Sequence, residues 1–524
     1  MNVIQKIGLG STFTGLVILM SILFVGNFSV KMDRIDPYIT INQYQQLSSE
    51  LEHLEHHLYD NAFQLSNEIT TIYNNKNEQL KKAEKWNEVM WGSSQDFALT
   101  VLRNSSSNIL IINNIYLFIL TIGLIFLGGL LFIFSYLFYP KQSGRKFVNN
   151  VSESGFNRDA YGLILGLFLI LFYIVLYWFP SYLINWILLV DPLSMALSGN
   201  QASQWFLYGL LYTLTIIVMG IRMLIKYRHN KYQLLRTGSV MFFQTSFAFL
   251  IPEILIRFDK PYMDFKNMWP LDYDFFFSWQ LDTYLQNGTL GMFMLVWGVA
   301  LFAVGVPIFT YFFGKRWYCS WVCGCGGLAE TAGDAFRHLS SKTQKSWKIE
   351  RISIYSVLVF TIVMTMATLY SRFSESYMFL GFETASIQKT YGFLIGSMFA
   401  GVIGTGFYPI LGNRSWCRFG CPLAAYIGFV QRFKSRFRIT TNGGQCISCG
   451  NCSTQCEMGI DVRAYAQLGE NIVRESCVGC GVCADVCPRG VLKLENGPEQ
   501  GRINNNPIII GNDSISINLD SENY

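Results

Sequence analysis

No cysteine precedes Cys319 in this 524-residue chain. A secreted disulfide scaffold, which spreads its bridges through a small domain, is therefore excluded. Charge is also scarce: Asp, Glu, Lys and Arg make up 14% of residues, against roughly 25% in a soluble domain. That excludes an ordinary water-soluble protein. There are five histidines, His53, His56, His57, His229 and His338, and none falls in a long apolar run. Paired axial ligands for a haem within a bilayer are thus missing. The net charge of +5 is mild and its basic residues flank apolar spans, so no nucleic-acid partner is called for.

Apolar residues make up 51% of the chain. A bilayer core of about 30 Å takes ~20 apolar residues per helix. Eight spans are expected, near 8–30, 109–138, 160–180, 203–224, 238–256, 289–313, 352–371 and 391–411. The first reads as an uncleaved anchor, since no small-residue cleavage site follows it. Membrane lipid is the immediate environment.

Short loops set the orientation. Lys141, Arg145, Lys146 and Arg158 follow span two, and Arg222, Lys226, Arg228, Lys231 and Arg236 follow span four. Lys315, Arg316, Arg337, Lys342, Lys345 and Lys348 follow span six, and Arg414, Arg418, Arg432, Lys434, Arg436 and Arg438 follow span eight. The loop between spans three and four has no Lys or Arg. Positive loops stay cytoplasmic. Both termini and every cysteine are then expected on the cytoplasmic side.

Residues 31–107 form one large outside segment. Leu47, Leu51, Leu54, Leu58, Leu65, Ile69 and Ile72 recur at helical spacing, which predicts an amphipathic helix paired with a second over 76–104. The segment reads as a structural hairpin, with a sensor or docking role as the alternative. His53 and His57 stand at i,i+4, a metal-compatible spacing, but they read first as part of a solvated helix face. Glu253, beside Pro252 in span five, is an intramembrane carboxylate. It either reaches water or Arg257 at the outer end, or exchanges a proton with a bound quinone. The aromatic stretch from Trp269 to Trp279 reads as an interfacial belt.

Eight of the 13 cysteines lie between Cys446 and Cys487. They form Cys446-x2-Cys449-x2-Cys452-x3-Cys456 and Cys477-x2-Cys480-x2-Cys483-x3-Cys487-Pro488. This is the two-cluster bacterial ferredoxin run, in which the fourth cysteine of each motif serves the other cluster. Cys446, Cys449, Cys452 and Cys487 are therefore expected to hold one [4Fe–4S] cluster. Cys477, Cys480, Cys483 and Cys456 are expected to hold the other. Gly450, Gly479 and Gly481 give the backbone freedom that such a tight wrap needs. Glu457 stands where Pro is usual. A zinc reading would use spaced C-x-x-C pairs, whereas these runs are continuous.

A quieter repeat precedes the motifs. Gly314-Lys-Arg316-Trp-Tyr-Cys319-x3-Cys323 and Gly412-Asn-Arg414-Ser-Trp-Cys417-x3-Cys421 align with an offset of 98 residues. On a helix, i and i+4 share a face, so each pair is expected to present two thiols together. Facing repeats would gather four. Three readings stand: a third metal site such as another Fe–S cluster, redox-active thiols, or buried inert cysteines. Cys325 is an extra thiol close by.

With these motifs in place, residues 290–495 resemble the membrane-bound polyferredoxins. That family is typified by the quinol-oxidising membrane subunit of periplasmic nitrate reductase. The nitrous-oxide reductase accessory flavoprotein and the cytochrome-oxidase assembly polyferredoxin are relatives. Arg414-Ser-Trp-Cys417-Arg-Phe-Gly-Cys421-Pro422 matches the family pattern closely. The first pair departs from it, since Gly324 and Cys325 follow Cys323. No flavin-attachment motif is recognisable, which sets the chain apart from the flavoprotein branch.

The resemblance implies electron transfer between a cytoplasmic or quinone pool and a membrane or periplasmic respiratory partner. The alternative is an assembly or regulatory protein that reduces a metal ion or thiol through Cys319, Cys323, Cys417 and Cys421. The expected architecture is a polytopic α-helical membrane protein with a C-terminal α+β ferredoxin-like domain. Its expected segments are an anchor (1–30), an outside segment (31–107), a transmembrane bundle (108–256), a second transmembrane region with the duplicated pairs (257–438), the ferredoxin-like domain (439–496) and a polar tail (497–524).

Overall fold

The computed structural model describes residues 2–55, 57–138, 160–314, 316–433 and 435–496. Lys141, Arg145, Lys146, Arg158, Lys315, Lys434, His56 and the 497–524 tail lie outside them.

Eight described helices are long and apolar enough to cross a bilayer. They are Val3–Ile22, Ile109–Ser135, Ala160–Trp178, Pro180–Leu197, Gln204–Lys226, Lys231–Arg257, Gly288–Phe313 and Gln344–Ser374. The chain is a multi-pass helical membrane protein. Strand content among the described residues is three two-stranded sheets. Seven of the helices overlap expected spans. The expected span 391–411 is not one uninterrupted α-helix: a π-helical stretch, Gly392–Ile403, runs into short helices Gly404–Gly406 and Tyr408–Leu411. In its place in the count stands Pro180–Leu197, which the sequence suggests is a loop.

The chain divides into two compact units. In the first, Val3–Ile22 packs closely on Ile109–Phe138. A Cβ added at Gly8 would lie 2.8 Å from the Gly128 carbonyl, so only small residues permit this approach. Pro180–Leu197 is held by polar contacts to the segment expected outside. Arg103 Nη1 donates to Asp191 Oδ1 at 3.0 Å, and the Ser66 and Ser181 hydroxyls are 2.7 Å apart. Trp186 and Asn185 donate to the carbonyls of Leu19, Leu23 and Val25 at the end of the first helix.

The 31–107 segment holds three main helices instead of the expected two: Ile41–Glu52, Ala62–Lys82 and Ser94–Ser105. Leu47, Leu51, Leu65 and Ile69 are buried as the spacing predicts, but Leu58 is exposed. The chain breaks helix there because Leu58–Tyr59 pairs with Phe28–Ser29 as a strand. His53 caps the first helix and His57 lies beyond it, so the pair shares no helical face. Glu253 takes a hydrogen bond from Ser198, while Arg257 donates to the Ala196 carbonyl.

The second unit carries Gly288–Phe313, Gln344–Ser374 and all thirteen cysteines. Residues 263–277 contain no helix or strand, yet they sit deep among these helices. Trp297, nine residues into its helix, donates Nε1 to the Phe265 carbonyl at 2.8 Å. Trp269 donates Nε1 to Thr365 Oγ1 at 3.0 Å, nine residues before the end of Gln344–Ser374. At ~1.5 Å per residue, both contacts lie roughly 14 Å along their helices. The segment therefore reaches back along these helices, as a re-entrant loop would. Its backbone closes on itself through bonds such as Leu271 N to Met268 O at 2.9 Å, as non-helical chain at membrane depth must. Within the stretch expected as an interfacial belt, Met268 is fully buried and Trp269 packs on Phe302, whereas Trp279 is exposed.

Candidate iron–sulfur sites

The ferredoxin segment is framed by Phe437–Thr441 and Leu492–Asn496, paired antiparallel with Phe437 opposite Asn496. Its two motifs fold alike. Cys449 and Cys480 are each followed by a glycine in left-handed conformation, Gly450 at φ 79° and Gly481 at φ 73°. Each glycine starts a short helix, Asn451–Thr454 or Val482–Asp485, that carries the third cysteine. The reversal needs a residue without a Cβ penalty.

The eight thiols gather in two groups. Cys446, Cys449, Cys452 and Cys487 line one cavity of about 350 Å³. Cys456, Cys477, Cys480 and Cys483 line a second of about 340 Å³. Each group thus takes its fourth cysteine from the other motif. Among the described residues, no three Cys, His, Asp or Glu side chains converge on a single-ion point. The two sites differ in access, since Cys449 is exposed while Cys477 and Cys483 are buried.

Around the second cavity lies a buried charge network that the sequence does not announce. Arg236, Arg337 and Arg414 are almost wholly buried. Arg236 forms a two-pronged pair with Glu330, and Arg414 Nη2 lies 3.1 Å from Glu457 Oε1. Arg337 bridges Glu457 at 3.5 Å and Asp334 at 3.4 Å, and Asp334 also takes Lys226 at 2.7 Å and Arg222 at 3.4 Å. The network holds two more cations than carboxylates. Arg337 Nη1 lies 3.8 Å from Cys480 Sγ, and its Nε and Nη2 make no hydrogen bond. A cubane held by four thiolates is a net anion, so this surplus of positive charge, with Arg337 Nη1 facing Cys480, fits one. Burial first, then Glu457, pushes the Cys480 thiol up to about 11 despite the arginines. Arg337 and Arg414 overcome the burial of Glu457 and hold it at about 2. Lys226, Arg337 and Arg222 do the same for Asp334, also about 2.

Glu457, the residue that replaces the usual proline, is therefore a strut. It joins the ferredoxin motif to Arg414 of the duplicated element and to Asn413, whose Nδ2 donates to its Oε2 at 3.3 Å.

The two duplicated elements also fold alike. Gly314 and Gly412 have φ of 67° and 92°. A Cβ on Gly412 would lie 2.2 Å from Ser340 Oγ. Five-residue helices follow, Trp317–Trp321 and Ser415–Phe419, each bearing the first cysteine. The helix stops before the second cysteine, which precedes a new helix, Gly324–Thr331 or Pro422–Phe433. The expectation of one helix per C-x3-C pair is thus corrected. Gly324 occupies the first helical position taken by Pro422 in the other copy, so the departure from C-x3-C-P leaves the local fold intact.

All four thiols are buried and close enough to resist one another's ionisation. Burial, then Cys417, Cys421 and Cys323, raises the Cys319 thiol, and burial followed by Cys417 and Cys323 raises Cys421. Cys323 alone falls, to about 6, because the Cys325 thiol donates to it, aided by the Gly326 amide and Lys266. The repeats are strapped reciprocally. Arg316 Nη1 donates to the Cys417 carbonyl at 2.7 Å, and Arg414 Nη1 donates to the Cys319 carbonyl at 3.3 Å. Four buried thiols that feel one another's charge, with arginines close by, are a donor set whose chemistry suits an iron–sulfur cluster.

Fold and sites together define a membrane-bound iron–sulfur protein similar to the polyferredoxins. The comparisons agree. Residues 445–492 match the 4Fe-4S dicluster domain, and residues 295–343 and 392–440 each match the 4Fe-4S binding domain. The second match falls on the two copies of the C-x3-C element.

Among curated proteins, the chain is 26% identical over 172 residues to the putative electron transport protein YccM of Escherichia coli (strain K12), covering 29% of this chain and 44% of that one. It is 26% identical over 150 residues to the methylamine utilization ferredoxin-type protein MauN of Methylobacillus flagellatus, covering 28% and 50%. It is 25% identical over 154 residues to the regulatory protein NosR of Stutzerimonas stutzeri, covering 28% and 20%. The chain thus spans half or less of these relatives' lengths. No solved structure matches it.

Proposed function

We propose that this protein passes electrons between a cytoplasmic or quinone pool and a redox partner in the membrane or on its far side. The observation that carries the reading is the sorting of eight ferredoxin cysteines into two crossed groups beside a third group of four. Cys446, Cys449, Cys452 and Cys487 would hold one [4Fe–4S] cluster, and Cys456, Cys477, Cys480 and Cys483 the other. Cys319, Cys323, Cys417 and Cys421 would hold a third iron–sulfur centre, a reading that the two matches to a 4Fe-4S binding domain favour over inert thiols. Each such cluster, when bound, takes up and releases a single electron.

The chain's own residues then set the order of the sites. Exposed Cys449, flanked by Arg463 and Arg489, opens the first site to a soluble partner. Buried Arg337 and Arg236 stabilise negative charge at the second. Glu457 and Arg414 fix the distance between that site and the four-cysteine group. The positive loops favour a cytoplasmic ferredoxin face and cytoplasmic termini. Under that topology Pro180–Leu197, tied to Arg103 and Ser66, belongs to the outside segment, and the 384–411 helical run completes the eight spans. The partner is a respiratory redox protein, and any quinone would sit among the spans.

Iron and acid-labile sulfide analysis of anaerobically purified full-length protein tests the proposal. About twelve irons per chain are expected from three cubanes. Fewer than about four would sink the ferredoxin reading itself.

A further inference from the structure

The re-entrant segment 263–277 brings an ion pair to the neighbourhood of the four-cysteine site. Lys266 Nζ lies 2.8 Å from Asp264 Oδ2, and both side chains are about nine-tenths buried, each 10% exposed. The Lys266 carbonyl accepts a hydrogen bond from Tyr318 Oη at 2.6 Å, and Tyr318 immediately precedes Cys319. The Lys266 charge is felt at Cys323 and Cys325. Taking a charged pair out of water is costly, and its mutual attraction repays that cost only in good geometry. An ionisable pair packed among apolar membrane-crossing helices is by default a candidate for function. A loop that needed only to be pinned has Trp269, Trp297 and Met268 to do so.

We infer that Lys266, held by Asp264 on the re-entrant segment, positions a further positive charge against the four-cysteine site and thereby tunes its reduction potential. The inference rests on the reading that Cys319, Cys323, Cys417 and Cys421 hold an iron–sulfur centre. Reduction adds negative charge to such a centre, and a cation in a medium of low dielectric favours the reduced form. Asp264 offsets part of that charge. The two residues therefore act with opposite sign, and the site's potential is tuned from the membrane side independently of the ferredoxin clusters.

The test is a redox titration of the full-length protein in lipid nanodiscs, followed by electron paramagnetic resonance. Lys266→Met is expected to move the third centre to a more negative potential, and Lys266→Arg to restore it. Asp264→Asn is expected to move it the opposite way. The two ferredoxin signals should stay in place, which also reports that each variant is folded. If Lys266→Met does not fold, the upward shift in Asp264→Asn decides alone. A third centre whose potential ignores both substitutions, or shifts in step with the ferredoxin clusters, overturns this inference and leaves the cluster reading standing. Iron for two clusters only overturns the cluster reading and this inference with it.

Discussion

Arg316 donates its Nη1 to the carbonyl of Cys417 at 2.7 Å, reaching from one copy of the duplicated element into the other. Arg414 returns the contact to Cys319. The arginine of the G-x-R-x-aromatic-C-x3-C repeat is therefore a strap between copies. It is also a cation held beside four thiols that burial would otherwise keep protonated. Reciprocity of this kind follows from two copies facing each other, and it makes each arginine responsible for the other copy's geometry.

Arg316→Gln tests that responsibility, because Arg316 has no tie to Glu457. A hydrogen bond from a charged donor is worth about 1.5–3 kcal/mol. The substitution is expected to strip iron from the four-cysteine site while the two ferredoxin signals persist. Iron analysis together with low-temperature spectra would check this. Retention of all the iron would show that the strap is dispensable.

Glu457→Gln removes the carboxylate that Arg414 and Arg337 share. Leaving buried charges unpaired costs on the order of 3–5 kcal/mol. The ferredoxin module is expected to loosen from the duplicated elements and to be cut by protease at lower temperature. Limited proteolysis monitored against temperature would read the change. Glu88→Gln, on an exposed i,i+3 pair with Lys85, should leave the profile unmoved.

Acid should loosen the same network. Glu457 and Asp334 both sit at about 2 in the folded protein, below their unfolded values of about 4.3 and 3.9. A depressed folded value means that their contribution is fully present above pH ~4.5 and fades as the pH falls toward ~2. Thermal unfolding followed from pH 6 to 3 should show stability dropping in that window. The drop should be smaller in an Asp334→Asn protein, which starts less stable but has one fewer carboxylate to protonate.

What was legible in the sequence was what chemistry spaces rigidly. The eight ferredoxin cysteines and their glycines sit at intervals that a cubane dictates, so the run could be read directly. The duplication was legible because Gly, Arg, an aromatic and two Cys recur in register. The buried arginines were not, because Arg236 and Arg337 look like any positive charge of a cytoplasmic loop. Their partners Glu330 and Glu457 are distant in sequence, by 94 residues from Arg236 and by 120 from Arg337. Glu457 did carry a signal, as the break in the cysteine–proline habit of the ferredoxin motifs. The 263–277 segment was hidden for a different reason: Trp, Asp and Lys together compose an interfacial loop as readily as a re-entrant one. The helix break before Cys323 and Cys421 was hidden because i,i+4 spacing fits a continuous helix equally well.

The crossed grouping of the ferredoxin cysteines gives the sharpest prediction. Cys487 lies in the second motif but lines the first cavity, and Cys456 lies in the first motif but lines the second. Cys487→Ser should therefore disturb the cluster of Cys446, Cys449 and Cys452, the exposed site. Cys456→Ser should disturb the cluster beside Arg337. The two are separable by access, since a small membrane-impermeant oxidant should reach the site of exposed Cys449 first. In Cys487→Ser the fast-oxidising signal should be altered or lost and the slow one kept. In Cys456→Ser the reverse should hold. An uncrossed arrangement, each motif wrapping its own cluster, would exchange the two outcomes.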